Sequence, residues 1–145
     1  MNQRYVVNVE AAVVRDGEFL VARRAESEDH AAGTLSFVGG TVEGIEEAED
    51  ALERTARREV REEVGVEVGE LRYVESGAFL ADGDPCVNVV FLGRHESGTA
   101  RPREPEEVAE VFWLTADEVA DHPDAPPWTE ASVERAEQRR ADLGW

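Results

Sequence analysis

The chain has 145 residues, 41% of them hydrophobic, and 33 acids against 15 bases give a net charge of −18. That length suits one domain around one core, and so acidic a surface disfavours broad contact with nucleic-acid phosphates. No apolar run is long enough to span a membrane, no signal-peptide pattern opens the sequence, and the lone Cys86 excludes an internal disulfide, so a cytoplasmic setting is expected.

"YVVNVEAAVV" (5–14) is apolar and rich in valine, as a strand requires. "RDGE" (15–18) carries the Asp-Gly hairpin signal and "FLVARR" (19–24) is the return strand. A polar loop (25–34) leads to a short strand, "LSFV" (35–38), which runs into Gly39 and Gly40. An acidic loop (41–49) drifts into a helix from about Asp50 to Val64. There Leu52, Ala56, Val60 and Val64 make one apolar stripe and Gly65 supplies the stop. Residues 66–81 read as one or two strands, "DGDP" (82–85) as a turn, 86–95 as a strand, 96–107 as a loop and 108–114 as a further strand. Thr115 and Glu118 form a capping box for a short helix. "PDAPPW" (123–128) breaks the chain, and Thr129 is placed to cap a last helix. Strands, helix, strands and helix in this order predict an α+β fold with a mixed sheet between helices.

Glu59, Glu62 and Glu63 stand at i, i+3 and i+4, on one face of the predicted helix. Left bare, such like-charge pairs cost a few tenths of a kcal/mol each. A hard divalent cation removes that cost, and carboxylate oxygens on one ridge suit magnesium or manganese. A run of glutamates is more often a solvated face. The context argues otherwise: two glycines upstream, an arginine directly before the run and a glycine stop after it.

These residues, Gly39 and Gly40 followed by Arg58 to Val66, resemble the box of the Nudix hydrolases, the family that cleaves nucleoside diphosphates linked to another group. The second half of the box is complete. In the first half Gly40 leads to Glu46 as expected, but eleven residues separate Glu46 from Arg58 where the family has seven. A second register takes Gly44 and Asp50 instead, and the roles of Glu43, Glu46 and Asp50 stay open. The four additional residues read as a longer loop or one more helical turn. The resemblance implies a Nudix-type α/β/α sandwich spanning 1–145. It also implies Mg2+ or Mn2+ as cofactor, held by Glu59, Glu62, Glu63 and the Gly39 carbonyl, with Arg58 pairing bidentately with glutamates. Water would then attack a phosphorus of a pyrophosphate, with its proton passing to a box glutamate or to a loop acid, Glu106 or Glu107.

"ARRAESEDHAAGTLSFVGG" is similar to the corresponding stretch of the MutT branch of the family, so Arg24 and His30 would touch phosphate or base and Phe37 would line a nucleotide pocket. Val38 stands where a proline is usual, and His30 lies one residue further from Arg24. The proline of ADP-ribose hydrolases is absent at its position, where Asp82 stands. Trp113 reads as core, whereas Trp128 could cover a pocket or pack the last helix. The expected partner is a small nucleoside diphosphate-linked molecule, with no nucleic acid and no membrane; a homodimer is left open. The competing class is a Nudix-like domain that senses nucleotides without hydrolysing them, which would commonly lack the box glutamates retained here.

Overall fold

The computed structural model describes residues 3–28, 31–45 and 47–145. Strand β1 (Val6–Arg15) alternates as a strand buried on both faces must. Val9, Ala11 and Val13 enter one core cluster, while Ala12 and Val14 enter another. Asp16 and Gly17 both take positive φ, 50° and 78°, the two-residue turn whose twist matches a hairpin. The return strand β2 (Glu18–Arg24) sends Leu20 and Ala22 to the first cluster, and Phe19 and Val21 to the second.

The predicted strand over 35–38 is two short ones, β3 (Leu35–Ser36) and β4 (Val38–Thr41), with Phe37 between them. Helix α1 (Ala51–Val64) places Ala56, Val60 and Val64 wholly inside and packs Leu52 at the edge of the same cluster. Gly65 ends it in the left-handed region at φ 75°, donating its N–H to the Arg61 carbonyl. The helix starts at Ala51, seven residues before Arg58.

The stretch predicted as one or two strands is one long strand, β5 (Glu67–Ala81), pairing through several bulges with β6 (Asp84–Ser97). Their turn is tighter than expected: only Asp82 and Gly83 lie outside the ladder, both at positive φ. Strand β7 (Val108–Leu114) pairs with β2. The path β3-β2-β1-β6-β5 is antiparallel except between β1 and β6, whose parallel register runs from Val6↔Cys86 to Val14↔Arg94. Strand β4 joins the free stretch of β1, and the sheet is mixed as predicted.

Helix α2 (Ala116–Ala120) has the expected capping box, with Glu118 N–H donating to Thr115 Oγ1 at 3.1 Å. Helix α3 (Pro127–Leu143) begins earlier than predicted. Pro126 is its N-cap and Pro127 its first residue, because proline has no N–H to lose in a first turn. Thr129 is therefore not a cap; it lies inside the helix and donates its hydroxyl to the Leu35 carbonyl at 2.9 Å. Helix α1 covers one face of the sheet, and α2 and α3 cover the other.

Candidate functional site

The loop between β6 and β7 is tied to the end of α1. Arg101 and Arg103 donate backbone N–H groups to the carbonyls of Val64 and Glu63 at 3.1 and 2.8 Å, satisfying acceptors that a helix end leaves open. The other end of the loop docks on β2: Ala25 N–H donates to Glu107 O at 3.0 Å, and Ser27 Oγ to Glu106 O at 3.1 Å. So anchored, the loop carries Glu107 over the last turns of the helix. Carboxylate oxygens of Glu59, Glu63 and Glu107 then lie within 4.8 Å of one another.

Glu63 is the buried member of this trio. Desolvation, a hydrogen bond shared with Glu107 and the charge of Glu59 push its pKa up to about 10. Its Oε2 has no hydrogen-bond partner. A buried acceptor without a donor, facing two further carboxylates, is what a small hard cation would satisfy. Burial also raises the proton affinity of Glu59, against the pull of Arg58. Arg58 makes one contact with Glu59, at 3.3 Å, and not the expected fork. Glu62 is exposed beside the trio; its charge raises the proton affinities of Glu59 and Glu104. Glu104 is itself shifted upward by burial and by Glu107.

Gly40 lies directly against this cluster. A Cβ there would sit 2.6 Å from the Glu59 carboxyl carbon. Its neighbour Gly39 pairs with Glu10 on β1, where a Cβ would strike the Val9 carbonyl at 2.0 Å. On the face of the sheet covered by α3, Glu10 belongs to a pocket of about 470 Å³ whose lining includes Arg24, Phe37, Asn88 and Trp128. One peptide unit thus separates the carboxylate cluster from the floor of the pocket.

A sequence-family model described as the NUDIX domain matches residues 4–135. The chain belongs to the NUDIX family. Among its relatives is the uncharacterized Nudix hydrolase YfcD of Escherichia coli K12, 33% identical over 109 residues that cover 74% of this chain and 58% of that protein. Another is the NAD-capped RNA hydrolase NudC of Photobacterium profundum, 31% identical over 108 residues covering 74% of this chain and 37% of NudC. The NUDIX chain therefore spans about 58% of the length of YfcD. The MutT NUDIX hydrolase of Burkholderia pseudomallei superposes with a TM-score of 0.77 at 27% identity, covering 92% of this chain and 98% of the other. The Escherichia coli ORF135 protein does so with a TM-score of 0.74 at 29% identity, covering 97% and 94%.

Of the residues singled out in the NUDIX sequence, Glu59 and Glu63 converge, Glu62 stands beside them, and Arg24 and Phe37 share the pocket. The loop acid in the trio is Glu107; Glu106 contributes only its carbonyl to the contacts described above. His30 and Glu46 lie outside the described residues. Arg24 pairs with Glu28 at 3.3 Å. Arg23 points away from the pocket, bonding Glu110, Asp124 and the Gly33 carbonyl. Sequence reading missed Asn8, Glu10 and Asn88. The signal was there: each is a polar residue interrupting a run of strand-forming valines.

Proposed function

We propose that this NUDIX chain is a metal-dependent hydrolase that cleaves the pyrophosphate bond of a nucleoside di- or triphosphate derivative. The observation that carries the reading is the partnerless, buried Glu63 Oε2 within the Glu59, Glu63 and Glu107 trio. The oxygen-only donor set suits Mg2+ or Mn2+, and the family resemblance adds Glu62 and the Gly39 carbonyl as proposed further ligands. Bound there, a divalent cation would supply Lewis-acid charge to phosphate oxygens and make water more acidic.

The protein's own groups do the rest. The pocket receives the nucleoside, and the Arg24 guanidinium binds a phosphate on the pocket side of β4. Small residues at 39 and 40 let the phosphate chain pass from pocket to carboxylates. A proton released by water passes to an acid beside the trio, Glu62 or Glu104, or to the loop acid Glu106. The resemblance of the stretch from Ala22 to Gly40 to the MutT branch supports a purine nucleotide as the substrate class.

The test is a screen of nucleoside diphosphate derivatives with magnesium and with manganese, reading released phosphate species. Glu63→Gln and Glu107→Gln should lower turnover by at least a hundredfold. Unchanged activity in either purified variant removes that residue from the metal site. Metal-independent nucleotide binding with no turnover of any derivative would favour a nucleotide sensor.

A further inference from the structure

We propose that a second cavity, at the end of the sheet away from the carboxylate trio, binds a small phosphate anion such as a diphosphate between the guanidinium groups of Arg15 and Arg94. Neither arginine belongs to the site described above or to the hydrolase reading.

The cavity has a volume of about 330 Å³, and its lining includes Arg15, Asp16, Gly17, Arg94, His95 and Trp145. Strand β2 separates it from the trio. That strand leaves the turn at Gly17 beside the cavity and ends before Ala25, whose N–H meets the Glu107 carbonyl. Its 7 residues span about 23 Å. Val14 and Arg94 are partners in the parallel ladder, and successive side chains of a strand alternate between faces. Arg94 therefore lies on the face covered by α3, where Trp145 packs. Arg15 lies on the face covered by α1, where Trp113 packs.

Their partners set these two arginines apart. In a chain with 33 acids and 15 bases an arginine readily finds a carboxylate, and Arg61, Arg72, Arg135 and Arg140 each hold one at 3.2 Å or less. Among the described residues Arg15 and Arg94 pair with none. Each lies over an indole instead: Arg15 Cζ is 4.1 Å from the Trp113 ring centroid, and Arg94 Cζ is 4.4 Å from that of Trp145. Stacking engages the flat face of a guanidinium and leaves the N–H fork around its edge open to a ligand. It also fixes the plane of each fork in advance, which lowers the ordering cost of binding.

The rings are themselves held. His95 meets Trp113 edge to face at 5.7 Å, with its Nε2 at 2.6 Å from the Gly98 carbonyl. Trp145 donates its backbone N–H to the Arg140 carbonyl, and its own carbonyl accepts from the Arg140 side chain. Glu70 senses the charge of Arg94 but is paired with Arg72 at 3.0 Å. Asp16 is the carboxylate of the lining. It stands exposed in the hairpin turn and, among the described residues, pairs with neither arginine. Two forks held by different rings on two faces of the sheet call for acceptors in more than one plane. A carboxylate has two oxygens in one plane and answers one fork, whereas the tetrahedral oxygens of a diphosphate answer both.

The experiment is calorimetric titration of inorganic pyrophosphate and of malonate into protein stripped of divalent metal. Pyrophosphate should bind once per chain, and about tenfold more tightly than malonate. Arg15→Ala and Arg94→Ala should each weaken it about tenfold, as the loss of one fork implies. Asp16→Asn removes a repelling charge, keeps a residue type that tolerates the left-handed turn, and should tighten binding several-fold. Arg94→Lys carries the test should Arg94→Ala not fold: it keeps the charge, gives up the fork, and should still weaken pyrophosphate several-fold. Absence of saturable binding, malonate binding as tight as that of pyrophosphate, or an affinity indifferent to Arg15→Ala and Arg94→Lys overturns the proposal. So does binding that Arg24→Ala abolishes and Arg15→Ala leaves intact, which would place the anion in the larger pocket. Failure of every derivative in the hydrolysis screen bears on none of these outcomes.

Discussion

Glu63→Gln should stabilise the metal-free protein and remove most of the stabilisation that metal gives the parent. With a chelator present, the native carboxyl holds its proton up to about pH 10, whereas in the unfolded chain it loses it near 4.5. Between those values the native state binds more protons than the unfolded one, so stability falls as pH rises, by up to about 1.4 kcal/mol per unit. Below about 4.5 both states are protonated and the cost vanishes. At pH 8 it amounts to about 4–5 kcal/mol, of which a buried glutamine amide retains about 1–3 kcal/mol. The variant should therefore be more stable than the parent in chelator at pH 8 by about 2 kcal/mol, or roughly 4–8 °C in melting temperature. Glu59 and Glu104 are shifted in the same direction, so the difference between parent and variant isolates position 63. Magnesium at ten times its Kd should return about 1.4 kcal/mol to the parent and little to the variant. Calorimetric melts from pH 5 to pH 9, with chelator or magnesium, read all of this. A variant less stable than the parent in chelator at pH 8, or one that retains the full magnesium shift, would refute the reasoning.

Gly40→Ala should lower the magnesium-induced shift in melting temperature and cut activity at least tenfold while folding normally, because its Cβ meets only the movable end of Glu59; Gly39→Ala meets the Val9 backbone and should fail to fold, as circular dichroism of the two variants will show. Arg24→Ala should raise KM more than it lowers kcat, since a phosphate contact made in the ground state persists in the transition state. Arg23→Ala should instead lower the melting temperature, because it bridges Glu110, Asp124 and the Gly33 carbonyl. Thr115→Ala removes the α2 cap and should cost about 1 kcal/mol in chemical denaturation, with kinetics unchanged.

Local rules reached far into this fold. Valine alternation in β1, the Asp16-Gly17 turn, the α1 stripe and the Gly65 stop all express interactions within a few residues of chain, and all are found where the sequence places them. Thr129 misled for a related reason. A Pro-Pro pair reads as a break, yet proline is at home in a first helical turn, so the helix starts at Pro127. The carboxylate trio was only half legible. Helical spacing brings Glu59 and Glu63 together, but Glu107 arrives through backbone bonds between a loop and the end of α1, which no periodicity records. The floor of the pocket was not legible at all, because Asn8, Glu10 and Asn88 meet only through the parallel register of β1 and β6.

That register has a consequence for how the molecule is made. Asn8 and Asn88 are direct partners in the ladder although 80 residues separate them. During synthesis β1 emerges long before β6, and it can first pair only with β2 and β4, both nearer along the chain. Closing so long a loop carries a large entropic cost before any contact repays it, which makes such pairings slow. The central strand therefore waits with one edge of unpaired amides and its valines uncovered, the condition in which nascent chains aggregate. Its partner strand completes the pocket floor in the same step that covers that edge. The pocket, where the proposed function puts a nucleotide, is thus completed late in folding, and binding there would measure whether the sheet has closed.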